Sequence, residues 1–76
     1  MELKKFIENF AEQFEETNAS EITAETKFRE LDEWSSLTAL SVMAMIDEEY
    51  DVQIKADEMR RAETIEDLLH IVESYQ

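Results

Sequence analysis

Neither glycine nor proline occurs anywhere in the 76 residues. Residues with a side chain resist positive φ, so tight hairpin turns must use Asn or Asp or be avoided. A fold of short strands joined by hairpins is therefore disfavoured. Ala, Glu, Leu, Met and Lys are well represented, and these residues favour helix. The expected fold class is all-α. Hydrophobic residues make up 43%, enough for a folded core rather than a disordered chain. The length suits a single domain, residues 1–76, with little core left over for a buried substrate pocket.

The pattern along the chain predicts four helices, three longer and a short third one. Leu3, Phe6, Ile7, Phe10, Ala11 and Phe14 fall on one face of a helix over residues 2–16. Residues 17–35 show no period, and Ile22, Phe28 and Leu31 are expected to pin this long loop to the bundle. The second helix is predicted over 36–50. Its core side is Ala39, Val42, Met43, Ile46 and Tyr50, yet Leu37, Leu40, Ala44 and Met45 make other sides apolar as well. Two arrangements satisfy that pattern: a central helix buried nearly all round, or a helix with a second stripe used for docking. Val52 and Ile54 alternate with polar residues in a short extended link. A short helix over 57–61 points Met59 inward. Thr64 and Asp67 make a capping box with Asp in the usual Glu position. Ile65, Leu68, Leu69, Val72 and Tyr75 form the buried face of the last helix, ending near residue 74.

Charge and residue types remove several functions. The formal net charge is −13, which repels nucleic acid and anionic membrane surfaces and attracts basic protein partners. With no Cys there is no disulfide and no thiolate nucleophile. No apolar run approaches the roughly 20 residues needed to span a bilayer, and residues 1–6 lack a signal-peptide core, so a cytoplasmic location is expected. His70 is the only histidine and has no partner at triad spacing; it reads as a surface residue. The acidic stretch from Asp47 to Asp51 lacks the ligand alternation of a calcium loop. No metal site and no catalytic residue are expected, so the chain does not read as an enzyme.

Trp34, Ser35, Ser36 and Leu37 remain. A Ser ahead of a helical run commonly caps it, and local pattern alone makes Ser36 a cap, with Trp34 as a staple against Ala39. A helix N-terminus also favours a phosphodiester, because its amides and dipole attract negative charge.

At this motif the chain resembles the acyl carrier protein family. The segment from Phe28 through Leu31, Trp34, Ser35, Ser36 and Leu37 is similar to the family's Asp-Ser-Leu entry into a long second helix. That helix closes here on Glu48-Glu49-Tyr50, and Thr64 to Leu68 resembles the family's last-helix entry. The resemblance implies a four-helix bundle of acyl carrier protein type. It implies a 4'-phosphopantetheine arm on Ser36, added from coenzyme A by a phosphopantetheinyl transferase. It further implies that the second helix is the docking element: Leu37, Leu40, Ala44, Met45 and Glu48, with Trp34, Ser35 and Ser41 beside them, would meet basic patches on acyl- or aminoacyl-loading and synthase enzymes. Fatty acid, polyketide or related biosynthesis is the expected setting, with a monomeric carrier. Ser35 stands where the family usually has Asp, and Thr38 and Ser41 stand where fatty-acid carriers often have acids. Each lost exposed carboxylate weakens a partner ion pair by on the order of 1 kcal/mol, which suits a specialised carrier. The alternative is an unmodified acidic helical module that docks a basic partner.

Overall fold

The apolar stripes converge as helical spacing requires. The computed structural model describes residues 2–76, and its helices are α1 (Leu3–Ala11), α2 (Ser36–Tyr50), α3 (Ala56–Arg61) and α4 (Ile65–Ser74). Two 3₁₀ turns, Ala19–Glu21 and Phe28–Glu30, lie in the connection between α1 and α2. The fold is thus the expected all-α bundle with a short third helix. Phe6 and Phe10 from α1, Val42 and Ile46 from α2, and Ile65, Leu68 and Val72 from α4 are fully buried together. Ile22 and Phe28 pin the long connection as expected, and Val52 and Ile54 anchor the link before α3. The radius of gyration is 11.0 Å, close to the ~11 Å of a compact chain of this length.

Four local readings are corrected. The first helix ends at Ala11 rather than near residue 16. The Glu33 carboxylate takes the backbone N–H groups of Glu15 and Glu16, at 3.0 and 3.1 Å, and so competes with helical continuation. Met45, which the resemblance puts among the docking residues of α2, is in the core at 5% exposure, because the bundle covers a second sector of that helix. Ala39, Met43 and Tyr50, assigned to the core, are only half-buried. Tyr75 is 45% exposed, and its hydroxyl donates to the Glu58 carboxylate on α3 rather than packing inside.

Among the described residues, the lack of glycine is met at one place. Asp51, at the C-terminal end of α2, adopts the left-handed conformation (φ 55°, ψ 42°), one of the few residue types that tolerates it.

The start of α4 is stitched to the long connection. Ile65 N–H donates to the Thr26 carbonyl (3.2 Å) and Glu66 N–H to that of Ala24 (2.9 Å). Lys27 and Thr64 form an isolated antiparallel bridge beside them. The expected capping box is present: Asp67 N–H donates to Thr64 Oγ1 (3.1 Å), and Asp67 Oδ2 accepts from the N–H of Thr64 (3.2 Å). One buried polar residue went unpredicted. Asn9, on α1, is satisfied through its side-chain N–H to the Tyr50 hydroxyl at 2.9 Å.

Candidate functional site

The N-terminus of α2 divides two serines between two tasks. Ser35, not Ser36, is the cap. Its Oγ accepts the N–H of Thr38 at 3.3 Å, and Thr38 Oγ1 accepts the N–H of Ser35 at 2.7 Å. Thr38 thus fills the role that Glu or Gln has in the usual capping box. Ser36 is the first helical residue and is exposed. Among the described residues its hydroxyl has no hydrogen-bond partner, and neither do the backbone N–H groups of Ser36 and Leu37. Substituting the Ser36 hydroxyl therefore breaks no internal contact, and an anion placed there meets open helix-end amides.

Trp34 is held rigidly just before this turn. Its ring lies 4.9 Å from Phe28, and stacks at 6.3 Å on both Phe10 and Phe14. Trp34 and Ala39 occupy the positions of a hydrophobic staple, flanking the cap, and both line one groove. The tryptophan is thus mainly part of the aromatic cluster that fixes the helix entry.

A second clamp secures the same turn. The Glu33 carboxylate accepts from Thr17 Oγ1 at 2.5 Å and from the Glu15 and Glu16 N–H groups. The Thr17 hydroxyl above all, with these N–H groups, holds the Glu33 carboxyl below the ordinary glutamate value. A lowered folded-state pKa gives stability that is present above the unfolded value and lost as pH falls through the folded one. Glu33→Gln is therefore expected to flatten the acid limb of the stability profile as pH falls through and below the ordinary glutamate range. Urea midpoints measured across that range check it; Asp67 and Glu58, also lowered, keep the limb from vanishing.

An open groove of about 490 Å³ runs from Ser35 and Ser36 toward α3. Trp34, Ala39, Leu40, Met43, Ala56 and Met59 supply its apolar lining, and Arg29 and Arg60 its charge. Of the expected docking residues, Leu37 is 73% and Leu40 62% exposed, Ala44 and Glu48 are exposed, and Ser41 is half-buried. Met45 is not on this surface. Arg29 and Arg60 were not anticipated as site residues, since they lie far apart in sequence and no local pattern joins them. Among the described residues there is no group of His, Asp and Glu suited to a metal, and no helix long and apolar enough to cross a membrane.

A family model for the phosphopantetheine attachment site matches residues 4–72, spanning all four helices. The chain belongs to that family. The protein is accordingly a phosphopantetheine-carrying carrier, and its family binds 4'-phosphopantetheine covalently. No curated protein and no solved structure matches. Carrier domains of this family are generally non-catalytic and interact with phosphopantetheinyl transferases and synthase enzymes. The residues at the start of α2 fit the group: a free, exposed hydroxyl, open amides and a groove alongside.

Proposed function

We propose that Ser36 is the attachment residue and that residues 1–76 form one carrier domain presenting acyl or aminoacyl groups to partner enzymes. The observation that carries this reading is the division of labour at the α2 start, where Ser35 caps the helix and leaves the Ser36 hydroxyl exposed and unpartnered. In the loading step, Ser36 Oγ bonds to the phosphorus that bears the pantetheine. The pyrophosphate P–O bond of coenzyme A breaks, the adenosine bisphosphate leaves, and the hydroxyl proton passes to a base on the transferase. The arm's terminal thiol then supplies thioester chemistry, and its tether keeps the cargo at high effective concentration near successive enzymes.

Docking is assigned to the exposed part of α2: Leu37 and Leu40 as apolar anchors, Ala44 between them and the helix end, and Glu48 as the charge that meets a basic patch. The missing acids at Ser35, Thr38 and Ser41 favour a dedicated acyl or aminoacyl system over general fatty acid synthesis. The test is incubation with coenzyme A, magnesium and a broad-specificity transferase, read by intact mass. One phosphopantetheinyl addition, mapped to Ser36 by peptide fragmentation, is expected. An unchanged mass, or an arm mapped elsewhere, refutes the assignment and favours an unmodified acidic docking module.

A further inference from the structure

We propose that Arg29 and Arg60 together receive the phosphodiester of the arm on Ser36. The inference rests on Ser36 being the attachment residue. Only 7 basic residues stand against 20 acidic ones in this chain, yet two of the seven line the groove that Ser36 also lines.

Arg29 is preorganised. Its Nη1 donates to the Met59 carbonyl at 2.9 Å, and its guanidinium carbon lies 5.4 Å from the centre of the Phe28 ring. A guanidinium carries five N–H donors in a rigid fork, so most of them stay available while the group is held in place. Arg60 follows Met59, the residue that anchors Arg29. Among the described residues the Arg60 side chain has no hydrogen bond and no ion pair. Two cations sharing one groove repel each other, and a shared anion relieves that repulsion. Guanidinium groups bind phosphate oxygens through paired, charge-assisted hydrogen bonds. The phosphodiester is the anion that the tether delivers to this groove, and the apolar walls of Trp34, Met43 and Met59 suit the uncharged remainder of the arm. Attachment would thereby fasten α3, a six-residue helix, to the start of α2.

The test compares unmodified and arm-bearing protein, each confirmed by mass, in wild type, Arg60→Gln and Arg29→Gln. Each variant's own unmodified form is its reference, so a general loss of stability cancels. At low ionic strength the arm is expected to raise the wild-type melting temperature by about 4 °C, the scale of one good contact in a domain this size. That gain should fall by at least half in Arg60→Gln and Arg29→Gln, with the phosphorus-31 resonance of the diester moving in parallel. Salt at about 0.5 M should also erase it in the wild type, which needs no variant. An equal gain in wild type and both variants overturns the inference while leaving Ser36 as the attachment residue. So does a gain that depends on the arginines only when the thiol carries an acidic cargo, since the anion would then be the cargo's. A chain that takes up no arm overturns the Ser36 assignment and this inference with it.

Discussion

Ser36→Ala is expected to abolish phosphopantetheine addition outright and leave the domain folded. The hydroxyl is exposed and makes no contact that the fold depends on among the described residues. Ser35→Ala should do the reverse. It removes the Oγ that accepts the Thr38 N–H, a cap worth about 1 kcal/mol, while the nucleophile beside it remains. The pair of variants separates two meanings of one serine-rich turn. Intact mass after treatment with a transferase and coenzyme A reads the first effect, and urea unfolding reads the second. If Ser35→Ala blocked modification and Ser36→Ala did not, the roles assigned to the two serines would be exchanged. Partial modification of Ser35→Ala at a reduced rate is compatible with the cap's helping to hold the helix end in shape.

Phe28→Ala is expected to cost about 3–5 kcal/mol, the usual range for truncating a buried phenylalanine. A domain of this length has about 4–11 kcal/mol in total, so most of the stability would go. Phe28 is fully buried, and its ring meets Phe10 at 5.9 Å and Trp34 at 4.9 Å while supporting the Arg29 guanidinium. It therefore couples the core to the entry of α2 as well as to the groove. Urea denaturation should show a midpoint far below wild type for Phe28→Ala, and a much smaller fall for Phe28→Leu, which refills most of the volume. Transferase rates on Phe28→Ala should fall even where the protein remains folded, because Trp34 loses its closest ring neighbour.

The sequence carried the fold more fully than the site. Phe6, Phe10 and Ala11 announce the buried face of α1, because three- and four-residue spacing has few other uses in a chain without glycine or proline. The length of α1 was not legible, since the carboxylate that diverts Glu15 and Glu16 comes from Glu33 in a distant loop. On α2, periodicity supplied the angles of the side chains but not the neighbours that would cover them. Angles alone leave the stripe of Met45 open between burial and docking and put Ala39 and Met43 inside; the bundle covers Met45 and leaves the other two lining a groove. Tyr75 had the right angle for burial but a hydroxyl that found Glu58. At the site, Ser36 stood out through the motif around it, whereas the cap had to be told from the free hydroxyl by hydrogen bonds. Arg29 and Arg60 had no local signature at all, because only tertiary packing brings α3 beside the turn before α2.

The starts of α2 and α4 differ in how they are closed, and amide hydrogen exchange should record it. In most helices the first amides exchange freely because no carbonyl reaches them. At α4 the Ile65 and Glu66 amides are taken by Thr26 and Ala24, so they should exchange slowly, as interior amides do. At α2 the Ser36 and Leu37 amides have no such partners among the described residues and should exchange within the dead time of the measurement. The protein thus keeps one helix end sealed by its own loop and leaves the other open to solvent, beside the serine that is proposed to carry the arm.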